Sequence, residues 1–209
     1  VSTSYEQYIS ALCTLTNFPF ENTYCTRLNI DKYALSEEET KQLKEMKNEI
    51  AALPMIEIPK NANSVIGLSD RDQQTIERLD EIFWKEISKM ESGKMLVEVN
   101  PVGGQEKAAA VLDIVEKIDC GLDEVMYVGD SITDSAALKT VKDHGGLAVS
   151  FNGNSYSVRE SDVAVLSANT SVTSILAQVF SKKGKEGVLI LVNEWGSSGL
   201  EKYCDSPVL

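Results

Sequence analysis

The sequence predicts an α/β fold: a parallel sheet with helices on both faces, interrupted by a helical insertion. Apolar runs of strand length at 124–128, 147–151 and 162–166 alternate with segments of helical period, the pattern of a parallel sheet covered on both sides. Residues 34–93 differ, with two long charged segments that each carry a single apolar stripe. A chain of 209 residues with 43% hydrophobic and 25% charged content can bury a core, which excludes disorder as the main state.

Taken in order, residues 5–15 place Tyr5, Tyr8, Ile9, Leu12 and Leu15 near one helical face, and Asn17 with Pro19 ends that helix. YCTRLNI at 24–30 reads as a short strand. Ser36 with Glu39 forms a capping-box pattern ahead of a helix whose stripe is Leu43, Met46, Ile50 and Leu53, stopped by Pro54. A second such helix runs from Ser69 to about Met90, with Ile76, Leu79, Phe83, Ile87 and Met90 inward. The expected organisation is therefore a core of residues 1–33 and 94–209 around an insertion of residues 34–93. MLVEV at 95–99 then reads as a strand, 101–104 as a turn, and 105–118 as a helix with Ala108, Val111, Leu112 and Val115 inward. Strands EVMYV, LAVSF, DVAVL and GVLILV (187–192) follow, with short helices at about 134–142 and 171–180.

Lys+Arg 20 against Asp+Glu 32 gives a formal charge of −12, a field that repels phosphate backbones and anionic head groups. Neither nucleic acid nor membrane insertion is expected, and the longest strongly apolar run, Val188 to Val192, falls far short of the roughly 20 residues of a spanning helix. Cys13, Cys25, Cys120 and Cys204 form no CxxC pair, and His144 is the one histidine, so zinc is not expected. Sparse cysteines suit a reducing, cytoplasmic location. The chain begins at Val1 with no signal-peptide pattern.

The segment Tyr127-Val-Gly-Asp-Ser-Ile-Thr-Asp134 is the richest in chemistry. An apolar strand delivers Asp130 at its carboxyl end, where ligands of parallel sheets bind, and Asp134 follows one turn later, so both carboxylates can face one point. Such a pair suits Mg²⁺, which takes one or two carboxylates, waters and a substrate phosphate. Lys107, opening the preceding helix, can reach a phosphoryl oxygen. Ser2 is placed where a strand hands over to the first helix, a position that can cradle phosphate. Each also has a plain structural reading: helix capping for the aspartates and Ser2, a solvated surface lysine for Lys107. Asp70-Arg-Asp72 reads as first-turn capping, His144 as the neighbour of a helix C-cap, and Phe83, Trp84 and Tyr127 as packing residues. Asn152, Gly153 and Asn154 follow a strand at the functional edge, as site lining or as a turn.

The order of Ser2, Lys107 and GDSITD resembles the second, third and fourth motifs of haloacid dehalogenase-like phosphohydrolases, and the run 105–165 is most similar to their phosphoserine phosphatase branch. The resemblance implies a Rossmann-like core and a Mg²⁺-dependent phosphatase of a small phosphorylated metabolite. It assigns Asp130 to the metal, Asp134 to metal or water, and Ser2, Thr3 and Lys107 to the phosphoryl group, with Lys107, Asp130 and Asp134 as the catalytic set. It makes the 34–93 insertion a cap over the substrate. Thr133 stands where that branch has asparagine. The family's nucleophile is the first acid of a DxD motif on a strand preceding the serine motif, so it is expected upstream of Val1, in a missing N-terminal segment or a partner chain. The opening VSTSYEQYI and the insertion also resemble an archaeal branch labelled as a subunit of energy-converting hydrogenase A, which implies the alternative of a non-catalytic subunit in a larger complex.

Overall fold

The computed structural model describes residues 1–59 and 64–196, so Cys204 lies outside the described residues. The chain divides into two compact units, one of Val1–Thr26 with Pro101–Leu209 and one of Arg27–Asn100, the latter wider than the expected 34–93.

The first unit begins with strand β1 (Ser2–Tyr5), helix α1 (Glu6–Thr16) and strand β2 (Cys25–Thr26), and the two strands pair in parallel. Helix α1 buries Ile9 and Cys13 against Cys25, with Phe20 beside them. Tyr8 and Leu15, expected inward, are 63% and 84% exposed. The helix crosses only a two-stranded sheet, so one narrow face suffices to cover it.

The second unit holds α2 (Glu37–Ala52), α3 (Asp70–Asp80) and the short α4 (Met95–Glu98). Ser36 caps α2 by accepting from the Glu39 N–H, while the Glu39 carboxylate accepts from the Ser92 N–H at 2.8 Å instead of closing the box. Arg78 grips Glu49 of α2 and Glu86 beyond α3, with Nη2 to Glu49 Oε2 at 2.9 Å and Nη1 to Glu86 Oε1 at 2.6 Å. Leu43, Met46 and Ile50 are half-buried, as a stripe should be. A π-type turn at Glu81–Glu86 shifts the inward face of the following helix, so Ile82 is fully buried while Phe83 and Trp84 are exposed. MLVEV is helical rather than extended: Val97 is 88% exposed, so the run has no sheet to join, and a five-residue apolar run has no period that distinguishes strand from helix.

The chain returns to the first unit with α5 (Gln105–Ile118), β3 (Met126–Gly129), α6 (Ser135–Asp143), β4 (Leu147–Phe151), α7 (Ser155–Glu160), β5 (Val163–Val165) and α8 (Ser171–Asn193). Strands β3, β4 and β5 are parallel neighbours in sequence order. Alternation along β4 sorts two cores: Leu147 and Val149 pack with Leu176, Val179, Val188 and Leu191 of α8, and Ala148 packs with Val111 of α5 and Leu138 of α6. GVLILV, expected as a strand, is the last part of α8, where Val188 and Leu191 reach the sheet and Ile190 is 46% exposed. No helix among the described residues is long and apolar enough to cross a membrane.

Among the described residues β1 pairs only with β2 and β3 only with β4, so each keeps an unpaired edge. Along β3 and α5 lies a groove of about 330 Å³ lined by Val1, Val111, Ile114, Val115 and residues 125–128.

Helix α8 breaks at Gly184, with φ 65° and ψ −170°. This is a region that only glycine occupies without strain, and a Cβ there would touch nothing within 4 Å, so the requirement is one of backbone alone. Gly184→Ala is therefore expected to lower the unfolding free energy by about 1–3 kcal/mol, measured by urea denaturation, without a steric contribution.

Candidate functional site

At the carboxyl edge of β3 the chain leaves through Gly129, passes Asp130 and Ser131, and makes a 3-10 turn at Ile132–Asp134 before α6. Gly129 is required here, because a Cβ would lie 2.5 Å from the Cβ of Asp134. Helix α5 starts at a Gly104 with φ 57° and ψ −117°, and Lys107 is its third residue. The Gly104 N–H donates to the Thr133 carbonyl at 2.9 Å, so the helix bearing Lys107 is stitched to the turn bearing Asp134.

The side chains of Lys107 and Asp134 meet in the interior, 8% and 6% exposed, with Nζ 2.7 Å from Oδ1. The same oxygen accepts from the Tyr127 hydroxyl at 2.9 Å. Oδ2 accepts from the backbone N–H groups of Asp130 and Ser131 and from the Ser131 hydroxyl, at 3.2–3.3 Å. Burial pushes the Asp134 carboxyl up, but the hydrogen bond and charge of Lys107, helped by Tyr127 and the Asp130 N–H, outweigh it and hold it below the ordinary carboxylate value. Burial, and then the charge of Asp134, pushes the Tyr127 hydroxyl well above its usual range, so it remains a donor at neutral pH.

Asp130 is placed differently. Its N–H is fixed on Asp134 and its carbonyl accepts from the Asn154 N–H at 2.9 Å, yet its side chain is exposed and no hydrogen bond or ion pair holds it among the described residues. The two aspartates of the motif thus do not present equivalent carboxylates: Asp130 offers its oxygens outward and Asp134 uses both inside. For a hard cation Asp130 fits as a carboxylate ligand at the strand end. Asp134 fits as a second ligand only by giving up donors it now holds, and no group of three or more His, Cys, Asp or Glu gathers among the described residues.

Thr133 sits inside the cluster, its Oγ1 3.3 Å from Lys107 Nζ and 2.9 Å from Ser131 Oγ. Thr3 approaches it, since a Cβ added to Gly103 would lie 3.7 Å from Thr133 and 3.8 Å from Thr3. Ser2 is not at the exit of its strand, as expected from the sequence; it is the first residue of β1, and its Oγ accepts from the Ser4 N–H. The hand-over to α1 occurs at Tyr5 because the strand is longer than the run VST suggests. Asn154 caps α7, and Asn152, at φ 49°, exchanges two hydrogen bonds with the Ser167 backbone, so both brace loops. Asp72 accepts from Ser69 Oγ, and its N–H donates to the same oxygen, as first-turn capping demands. Tyr127 packs in the core as expected and in addition bonds Asp134, a role that only its register, two residues before Gly129 on the inward side of β3, signals in the sequence.

Removing one member of a buried ion pair strands the other, at a cost of about 3–5 kcal/mol. Asp134→Asn is expected to lose that much stability near pH 7 in urea denaturation. Because the folded carboxyl titrates below its ordinary value of 3.8, the stabilisation is present above that value and is lost as pH falls through the lower, folded one. The difference between the denaturation midpoints of the wild type and the variant should therefore begin to shrink as pH falls below 3.8 and close at the lower, folded value.

The same architecture is found in known proteins. A family model described as haloacid dehalogenase-like hydrolase matches residues 4–189. A solved structure, that of gene product AF1437 from Archaeoglobus fulgidus, is similar with a TM-score of 0.74 and 25% identity, covering 94% of this chain; the chain spans 55% of that one. No curated protein matches. With the match running from β1 into α8 and taking in both the lysine helix and the GDSITD turn, the chain belongs to the haloacid dehalogenase-like hydrolase family.

Proposed function

We propose that this chain forms the phosphoryl-binding and metal-binding part of a Mg²⁺-dependent phosphatase of the phosphoserine-phosphatase-like kind, acting on a small phosphorylated metabolite. The observation that supports it most directly is the buried Lys107 ammonium held on Asp134 beside the free carboxylate of Asp130, at the carboxyl edge of β3. Lys107 binds a phosphoryl oxygen and orients it. Asp130 would hold Mg²⁺, with Asp134 supporting from behind through the N–H groups of Asp130 and Ser131. When bound, Mg²⁺ neutralises charge on the phosphoryl oxygens. Thr3, exposed next to Thr133, and Ser2 belong to the β1 side of the phosphoryl site. The helical unit serves as the cap that selects the substrate.

The attacking carboxylate comes from polypeptide outside residues 1–209. This reading is supported by the unpaired edges of β1 and β3 and the groove along β3, which suit an extended strand, and by a similar structure of whose chain this one spans 55%. The carboxylate oxygen attacks phosphorus as the ester P–O bond breaks, and the departing oxygen takes a proton. Water then cleaves the aspartyl phosphate, releasing phosphate and restoring the carboxylate.

In assays with p-nitrophenyl phosphate and Mg²⁺, the full-length protein is expected to be active. Asp130→Asn and Lys107→Ala should each lower kcat/KM by about 100-fold or more, the scale of losing a group that stabilises transition-state charge. Residues 1–209 alone should not exceed a control. Unchanged activity in Asp130→Asn would overturn the site, and substantial turnover by residues 1–209 would overturn the external nucleophile.

A further inference from the structure

We infer that the Thr133 hydroxyl is a positioning group for Lys107, which takes one N–H of the ammonium and thereby aims another at a bound phosphoryl oxygen. The inference rests on the phosphoryl-binding role of Lys107 proposed above.

The directions of the hydrogen bonds follow from counting protons. Asp134, ionised in its pair with Lys107, only accepts. The Ser131 hydroxyl has a single proton and directs it to Asp134 Oδ2. The 2.9 Å contact between Ser131 Oγ and Thr133 Oγ1 then takes its proton from Thr133. Thr133 Oγ1 is left as an acceptor toward Lys107 Nζ at 3.3 Å, and Lys107 also donates to Asp134 Oδ1 at 2.7 Å. The four side chains form a closed ring running from Lys107 through Thr133 and Ser131 to Asp134 and back to Lys107. A lysine ammonium has three donors, and the ring uses two of them. Among the described residues no hydrogen bond uses the third.

Two consequences follow from the ring. With two N–H directions fixed, tetrahedral geometry fixes the third. Neither hydroxyl has a proton left for a ligand, so toward a phosphoryl oxygen, which only accepts, Lys107 is the side-chain donor of this cluster. Thr133 is also held in place for the task. Its carbonyl accepts from the Gly104 N–H that opens α5, so one residue grips both the start of the helix carrying Lys107 and the tip of its side chain. Valine keeps the shape of threonine without its hydroxyl, and serine keeps the hydroxyl without the methyl.

Binding of inorganic orthophosphate to the full-length protein with Mg²⁺, measured by isothermal titration calorimetry alongside KM and kcat for p-nitrophenyl phosphate, tests the assignment. Thr133→Val should weaken orthophosphate and raise KM by about tenfold, the scale of one net hydrogen bond, with kcat changed by less than about threefold. Thr133→Ser should stay within about twofold of wild type on the same scale. If Lys107→Ala leaves orthophosphate affinity unchanged, the phosphoryl-binding reading itself fails, and this inference with it. If Lys107→Ala weakens binding while Thr133→Val does not, or if Thr133→Ser is as impaired as Thr133→Val, the positioning role of the hydroxyl is overturned and the phosphoryl-binding reading stands.

Discussion

A lysine ammonium and a carboxylate are buried against each other, and the surrounding chain is arranged to make that tolerable. Taking both charges out of water costs several kcal/mol per ion, which their attraction offsets only where the geometry is good and the remaining lone pairs are satisfied. Every feature next to the Lys107–Asp134 pair serves this condition. Gly129 lacks the Cβ that would collide with Asp134. Tyr127 and Ser131 supply donors to its two oxygens. The Gly104 turn, in a conformation closed to other residues, starts α5 where Lys107 can reach across. The pair therefore fixes the mutual position of α5, β3 and the turn into α6, the elements that also bury Val111, Leu138 and Ala148.

The same pair divides the labour between two aspartates that look alike. Four positions apart, they were expected to converge on one point; the 3-10 turn between them sends Asp134 inward and leaves Asp130 facing out. A carboxylate that already accepts five hydrogen bonds is a poor place for a cation and a good anchor for one that belongs to the protein. The exposed carboxylate next to it has the opposite properties. Charge is thus kept available at the strand end because its neighbour's charge is neutralised behind it.

The second unit is built on other terms. Among its described residues the fully buried aliphatic side chain is Ile82, and its helices are tied by the Glu39 carboxylate, which accepts from the Ser92 N–H, and by ion pairs of Arg78 with Glu49 and Glu86. Exposed ion pairs of this kind each contribute little to stability. The three hydrophobic clusters among the described residues lie in the first unit, where β4 is buried on both faces.

What could be read in the sequence was local. LAVSF is a nearly continuous apolar run because β4 packs on two cores, residues 105–118 repeat at helical spacing because α5 covers a sheet, and GD after an apolar run marks a strand end, since these patterns come from period and turn chemistry alone. Lys107, Asp130 and Asp134 stand out in the sequence by type and order for the same reason. The errors fell where local pattern is degenerate. MLVEV and GVLILV have β-forming composition but no period long enough to exclude a helix, and burial against a partner decided them: Val188 and Leu191 found the sheet from a helix, and Val97 found nothing. Tyr8 and Leu15 lie on α1, but a two-stranded sheet is too narrow to cover them. Which carboxylate faces inward, that Tyr127 donates to it, and that Thr133 bridges to Lys107 across 26 positions depend on side chains brought together from distant parts of the chain. Those contacts exist only once α5 and β3 are packed, because no local spacing encodes a distance between two elements.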